Sequence, residues 1–128
     1  MHSPILMFQS SHFAAIPGED ELTNPGIFGR QLAEWVAAEL PALGFELTGP
    51  AIPEDFGWCV PVASEECDLY VACANSEEGW QAFVFAESGL MARLLDHDPR
   101  PPAVSALYIA LFDLLQRAPH IDSLREDA

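Results

Sequence analysis

The fold is decided by the stretch Thr23-Asn24-Pro25-Gly26-Ile27-Phe28-Gly29-Arg30 and by the residues that follow it as far as Gly44. Asn24 is a favourable N-cap, because its side-chain oxygen accepts a hydrogen bond from a free amide of the first helical turn. Pro25 suits the first helical position, and Pro41 and Gly44 supply a stop signal. Apolar residues recur between them at helical spacing, at Phe28, Leu32, Trp35, Val36, Leu40 and Leu43. The stretch therefore predicts a long helix with one apolar stripe that packs on the rest of the fold.

Runs of strand-forming residues, separated by short polar breaks, occur both before and after this helix. We predict strands at 5–16, 45–47, 57–62, 67–73 and 80–87. In the strand at 67–73, alternation places Cys67, Leu69, Val71 and Cys73 on one face and Asp68, Tyr70 and Ala72 on the other. In the strand at 80–87, it places Phe83 and Phe85 on one side and Trp80, Ala82 and Val84 on the other. Pro61 predicts an edge position or a bulge. The short breaks predict hairpins and hence an antiparallel meander.

Two further helices are predicted towards the end of the chain. Ser88 is a candidate cap for a short helix over 90–95, and a second long amphipathic helix covers 104–115. A last short strand, anchored by Ile121 and Leu124, is predicted within a polar tail at 120–128.

These elements combine into one expected architecture. The chain, 1–128, has the length of a single domain, and the segment 17–23 is predicted to be a flexible loop. Each long helix has one apolar stripe, and a meander needs one face covered. We therefore expect an α+β fold, in which an antiparallel β-meander sheet carries two long helices packed on one face as a two-layer sandwich.

The charge balance is strongly acidic. The chain has 20 acidic residues against 5 arginines and no lysine, for a net charge of −15. Such a surface repels nucleic acid and anionic membranes and favours a protein partner with a basic surface, although it is also a simple route to solubility. No apolar run has the length of a signal peptide or a membrane span. We expect a cytoplasmic protein that binds neither nucleic acid nor a membrane directly.

The three cysteines, Cys59, Cys67 and Cys73, show no zinc-binding spacing. Cys67 and Cys73 fall on one face of one strand about 20 Å apart, too far for a disulfide. We expect reduced and inert core thiols, which fits a cytosolic protein. The sequence Asp96-His97-Asp98 has the composition of a ligand cluster, but a solvated helix C-terminus explains it equally well. We therefore expect neither a bound metal nor another cofactor.

Two motifs together resemble a pattern found in a family of small bacterial proteins. The first is Thr23-Asn24-Pro25-Gly26, then Gly29, then Leu32-Ala33-Glu34-Trp35, and the second is Pro53-Glu54-Asp55-Phe56-Gly57-Trp58. The similarity spans most of the chain, and the family form of the second motif has Trp where Phe56 stands here. The resemblance implies a bacterial cytosolic protein and brings no activity with it.

The turn over 24–30 is the first candidate site. Gly26 and Gly29 would let an anion approach the free amides of a helix N-terminus, with Asn24 and Arg30 beside it. The spacing matches neither a dinucleotide fingerprint nor a P-loop. The alternative is a capped helix start whose glycines permit close packing on the sheet.

The second candidate site is the segment 53–58. Glu54 and Asp55 beside Phe56 and Trp58 form either an acid–base pair or a recognition patch. Neighbouring residues at a strand end point in different directions, which weakens the catalytic interpretation. The alternative is a turn in which Asp55 hydrogen-bonds local backbone and Trp58 fills the core.

Three functions remain open from the sequence. The first is a non-enzymatic acidic module that binds a basic protein, as an immunity-like or inhibitory partner does. The second is a small enzyme or ligand-binding domain that uses the N-terminus of the helix, Asn24 to Arg30, with Glu54 and Asp55. The third is a mimic of nucleic-acid charge, in which clustered carboxylates imitate a phosphate backbone.

Overall fold

A computed structural model of the chain describes residues 1–65, 67–88 and 98–127. The strands are β1 (Ile5–Gln9), β2 (Ile52–Glu54), β3 (Gly57–Val62), β4 (Cys67–Asn75), β5 (Trp80–Ser88) and β6 (Asp122–Asp127). The helices are α1 (Arg30–Glu39) and α2 (Arg100–Arg117), with 3-10 turns at Glu19–Glu21 and Leu40–Leu43. The short helix predicted over 90–95 lies outside the described residues, as does most of the Asp96-His97-Asp98 segment.

The strands form one six-stranded sheet in the order β2-β3-β4-β5-β1-β6, and each described pairing is antiparallel. Strands β2 to β5 follow each other as a meander, because short turns can join only antiparallel neighbours. Strand β1 then lies between β5 and β6. The predicted α+β class with an antiparallel sheet is confirmed.

One hydrophobic cluster joins both helices to a single set of strand residues. From the strands it takes Trp58, Val60, Val62, Leu69, Val71, Cys73, Ala82 and Val84, and from the helices Leu32, Ala33, Val36, Val104, Leu107, Leu111 and Leu115. The alternation predicted for β4 and β5 is therefore correct. The other face of the same strands carries Tyr70, Phe83 and Phe85, which are only partly buried.

The start of α1 differs from the prediction. The helix begins at Arg30 rather than at Pro25, and its N-cap is Gly29 rather than Asn24. The reason is backbone geometry, since Gly26 has φ +83° and Gly29 has φ +151°, and a residue in either conformation interrupts a right-handed helix. The predicted stop is correct, because a 3-10 turn that contains Pro41 ends at Gly44 with φ +91°.

Three other boundaries also differ. Strand β1 ends at Gln9 instead of 16, and the strand predicted at 45–47 is only an isolated bridge between Leu47 and Val62. The strand that precedes β3 is Ile52–Glu54 instead. Pro61 is not in an edge strand as predicted, because β3 lies between β2 and β4. It is paired with Tyr70 of β4 and lies past the end of β2, where its carbonyl accepts a hydrogen bond from the Thr48 amide (3.2 Å).

The segment predicted to be a flexible loop contains a defined element, and the short strand predicted in the polar tail is present. The segment 17–23 includes the 3-10 turn, and it buries the side chains of Glu19 and Thr23. The polar tail forms β6, a charged strand at the edge of the sheet that pairs with β1. A short, charged strand is a common way to protect a sheet edge from pairing with other chains.

Trp35 is half-buried and does not lie wholly between α1 and the sheet. Its ring contacts Phe13 (centroids 5.5 Å) and His120 (5.1 Å), and His120 stacks on His12 (4.1 Å, 15° between the planes). These four rings join the segment after β1, the middle of α1 and the turn between α2 and β6. We call them the aromatic clamp.

The aromatic clamp gives a testable pH dependence of stability. Burial lowers the pKa of His120 below its ordinary value, the neighbouring His12 lowers it further, and Glu39 opposes the shift. The unfolded chain therefore binds this proton more readily than the folded protein does. The contribution of His120 to stability is complete above about pH 6.5, the unfolded value, and is lost as the pH falls through the lower folded value.

We expect His120→Phe to weaken the loss of stability between pH 7.5 and pH 5.5, as measured by urea unfolding at both pH values. The difference should be modest, because His120 is only half-buried and solvent screens its charge. His12→Ser, which removes the stacked neighbour, should change the pH dependence in the same direction but by less. Equal pH dependence in the wild-type protein and His120→Phe would contradict this assignment.

Candidate functional site

A carboxylate of the protein itself occupies the N-terminus of α1. The Glu19 side chain is 3% exposed. Its Oε1 accepts hydrogen bonds from the amides of Gly29 (2.8 Å) and Arg30 (3.0 Å), and its Oε2 accepts one from the amide of Ile16 (2.7 Å). Free helix amides and the helix dipole favour a negative charge at this point. Glu19 takes the place that an external anion would occupy, which favours the alternative of a helix start capped from within the protein.

Asn24 has a different role from the predicted cap. Its Nδ2 donates a hydrogen bond to the Asp55 carbonyl (3.1 Å), which ties the turn over 24–30 to the connection between β2 and β3. Asn75 holds the same turn from β4, since its Oδ1 accepts from the Phe28 amide and its Nδ2 donates to the Gly26 carbonyl (both 3.0 Å). The two motifs singled out in the sequence are thus neighbours in space.

Two glycines from these motifs pack against the same carbonyl group. A Cβ on Gly29 would lie 2.5 Å from the Cys73 oxygen, and a Cβ on Gly57 would lie 2.4 Å from it. Gly26 is different, because a Cβ there would meet no atom within 4 Å. The close-packing interpretation is therefore correct for Gly29, while the positive φ of Gly26 alone explains the glycine there.

Arg30 and Trp58 contact other residues of the protein itself. Trp58 is buried in the core, and the Arg30 guanidinium lies over its ring at 5.2 Å from the centroid. Arg30 also forms an ion pair with Glu34 (3.0 Å). By contrast Glu54, Asp55 and Phe56 are exposed. The structure therefore divides the predicted site residues into a supporting group and an accessible one.

Two of the accessible residues, Glu54 and Phe56, border a recess on the face of the sheet opposite the core. This aromatic cleft has a volume of about 430 Å³ and is lined by Glu54, Phe56, Cys59, Tyr70, Phe83, Phe85 and Glu87, with Met1 and His2 at one side. Its size is within the range typical of ligand sites.

Sheet register explains how the aromatic side chains meet. Tyr70 and Phe85 are directly paired across β4 and β5, and their rings stack at 4.9 Å with 19° between the planes. Phe83 lies on the same face of β5, two residues before Phe85, and the centroids of the two rings are 6.1 Å apart. Phe56, in the turn between β2 and β3, approaches Phe85 edge-on at 5.8 Å and 74°. The tip of this hairpin therefore lies over the face of the sheet and forms a wall of the aromatic cleft.

The aromatic cleft is strongly negative. Glu54 and Glu87 line it, and Asp68 is paired with Glu87 across β4 and β5, an arrangement of like charges that weakens a sheet. The ion pairs found in 1–65, 67–88 and 98–127 are Arg30–Glu34, Arg100–Asp98 and Arg117–Asp113, so none of these neutralises the carboxylates of the cleft. A cation placed there would relieve their repulsion.

The pKa values in the aromatic cleft argue against nucleophilic catalysis. Burial raises the pKa of Cys59 to about 12, with added contributions from Glu54 and Glu87. Burial also raises the pKa of Tyr70, together with Asp68 and Glu87. Both groups are therefore protonated at neutral pH, and a thiol in that state is a poor nucleophile. The three cysteines are free and buried, and burial likewise raises the pKa of Cys73.

A larger groove lies against α2. It has a volume of about 640 Å³, is lined by Leu43, Phe45, Tyr108, Ile109 and Phe112, and leaves Ile109 65% exposed. Its walls are mostly apolar, and its Asp113 is paired with Arg117. The aromatic cleft combines aromatic rings with several converging charges, which are the groups that give a site specificity.

The described part of the chain holds no group of three or more His, Cys, Asp or Glu side chains placed to bind a metal ion. No helix in that part is long and apolar enough to cross a membrane.

The fold and the aromatic cleft define a small α+β domain with an acidic, aromatic recess on one face of its sheet. Comparison of the chain with protein-family models, with curated proteins and with solved structures found no match.

Only Glu54 and Phe56 of the aromatic cleft were among the predicted site residues. Tyr70, Phe83, Phe85 and Glu87 were missed, although alternation had already placed Phe83 and Phe85 together on one side of β5. Large aromatic side chains on the non-core faces of two neighbouring strands are the signal that would have indicated the cleft.

Proposed function

We propose that the protein is a non-enzymatic binding module that holds a basic segment of a partner protein in the aromatic cleft. The observation that carries this proposal is the combination of an exposed aromatic wall with the carboxylates of Glu54 and Glu87, which take part in none of the ion pairs found within 1–65, 67–88 and 98–127. Phe56 is 48% exposed, and aromatic residues are enriched where proteins meet their partners. The net charge of −15 steers a basic protein towards the domain at long range.

An immunity-like or inhibitory role is the form of this function that we favour. A domain of net charge −15 with one concave acidic face suits a partner whose working surface is basic. The enzyme alternative has less support, because it requires a ligand to bind at the N-terminus of α1. The Glu19 carboxylate already accepts the hydrogen bonds of the amides there. The raised pKa of Cys59 removes a further candidate nucleophile from the aromatic cleft.

The test uses a matched pair of charge reversals. Glu54→Lys changes a residue that lines the aromatic cleft, whereas Asp55→Lys makes the same charge change at the next residue, which does not line it. We expect Glu54→Lys to weaken binding of a partner captured from the source cell about tenfold, or about 1.4 kcal/mol. Asp55→Lys should slow association slightly, as a distant exposed charge does, and this effect should fade at high salt.

Surface plasmon resonance at two salt concentrations would separate these outcomes, and circular dichroism would show that each variant is folded. Equal weakening by the two reversals would mean that only general charge matters, which would contradict the proposed site. A protein that captures no macromolecule but is stabilised against heat by a small metabolite would refute the binding-module proposal itself.

A further inference from the structure

We infer that the group bound in the aromatic cleft is the guanidinium of an arginine side chain supplied by the partner. This inference rests on the proposed function and specifies the ligand of the same site. It follows from the combined presence of aromatic faces, carboxylates and a recess of side-chain size.

The rings of the aromatic cleft offer flat surfaces to a planar cation. Tyr70 and Phe85 lie nearly parallel, and Phe56 stands at 74° to Phe85, so the rings form a corner beneath the tip of the β2–β3 hairpin. A guanidinium stacks on an aromatic face and is attracted to it electrostatically. A corner of two rings therefore holds a planar group in one orientation.

The carboxylates supply the complementary hydrogen-bond acceptors. Glu54 is contributed by β2 and Glu87 by β5, so acceptors stand at two sides of the aromatic cleft. Guanidinium donates two parallel hydrogen bonds to one carboxylate while its face remains free to stack. An ammonium group is a strongly hydrated point charge, and a quaternary ammonium donates no hydrogen bond, so both use these acceptors less fully.

The protein already binds one of its own arginines with the same two kinds of group. Arg30 lies over the Trp58 ring at 5.2 Å and donates from its Nε to the Glu34 carboxylate at 3.0 Å. The aromatic cleft repeats this pairing with more rings and more carboxylates, and among the described residues no arginine lines it. A partner arginine would complete it.

The test is an NMR titration of the ¹⁵N-labelled protein with three small compounds: N-acetyl-arginine amide, N-acetyl-lysine amide and N-acetyl-citrulline amide. Citrulline has nearly the shape of arginine without its charge. We expect the arginine compound to shift the amide signals of residues on β3, β4 and β5 that border the aromatic cleft. It should bind at least fivefold more tightly than the lysine compound, and the citrulline compound should cause no saturable change.

Two variants connect these shifts to the aromatic cleft. Phe56→Ala and Glu54→Gln should each weaken arginine binding at least threefold, while Asp55→Asn, outside the cleft, should leave it unchanged. Since Glu54 and Phe56 are exposed, both variants are expected to fold. Lysine binding as tight as arginine, or shifts spread over the acidic loops instead of the cleft, would overturn the inference.

The result also separates this inference from the proposed function. Partner capture that depends on Glu54, together with equal binding of the arginine and lysine compounds, would leave the function standing and reject the ligand. Selective arginine binding in the aromatic cleft, together with partner capture that ignores Glu54→Lys, would support the ligand and reject the function.

Discussion

Replacing Glu19 with alanine is expected to lower the free energy of unfolding by about 3 kcal/mol. The carboxylate accepts three backbone hydrogen bonds, from Ile16, Gly29 and Arg30. A buried donor that loses its acceptor costs about 1–3 kcal/mol, and hydrogen bonds to a charged group are stronger than neutral ones. The loss should exceed the gain from no longer burying a charge, because the helix N-terminus offsets much of that burial cost.

Glu21→Ala is the matched control for this prediction. Both residues belong to the 3-10 turn Glu19–Glu21, but Glu19 is buried whereas Glu21 is exposed. The control should change stability by less than about 0.5 kcal/mol, as is usual for an exposed position. Glu19→Gln should fall between the two, since an amide keeps one acceptor oxygen and loses the charge. Urea unfolding followed by tryptophan fluorescence would measure all three, and equal losses for Glu19→Ala and Glu21→Ala would refute the capping role.

Glu19 also shows where prediction from the sequence stops. The strands β4 and β5 and the stop of α1 could be predicted because their signals are local: alternation in the strands, and Pro41 and Gly44 at the helix end. The start of α1 could not, because Asn24 and Pro25 form a strong local cap signal that the conformations of Gly26 and Gly29 override. The actual cap is ten residues before Gly29 in a different turn, and no periodicity indicates such a contact.

The candidate site was only partly predictable for a similar reason. Glu54 and Phe56 stood out because carboxylate and aromatic residues are adjacent in the sequence. Tyr70 and Phe85 belong to separate strands, and only the register between β4 and β5 brings them together. The two alternatives for the turn over 24–30 could not be separated from the sequence, because the carboxylate at the helix N-terminus, Glu19, comes from outside that turn. Patterns within one element were informative, whereas contacts between elements needed the structure.

The other large effect is expected at Gly29. Gly29→Ala would place a Cβ 2.5 Å from the Cys73 oxygen and 2.9 Å from its carbonyl carbon, both in the backbone of β4. That strand is paired on both sides, with β3 and β5, so it cannot move away at low cost. The φ of +151° adds strain for any residue with a side chain. We expect a loss of about 3–5 kcal/mol, within the range that marks severe steric or backbone conflicts.

Gly26→Ala separates the strain of a positive φ from the steric conflict. Its φ is +83°, but a Cβ there would meet nothing within 4 Å, so it should cost only about 1–2 kcal/mol. Gly57→Ala should resemble Gly29→Ala, because its Cβ would lie 2.4 Å from the same Cys73 oxygen. The double variant of Gly29 and Gly57 should lose less than the sum of the two single losses, since one displacement of that carbonyl relieves both conflicts. Urea unfolding of the four variants tests this, and a Gly29→Ala loss no larger than that of Gly26→Ala would show that the Cys73 carbonyl is not the cause.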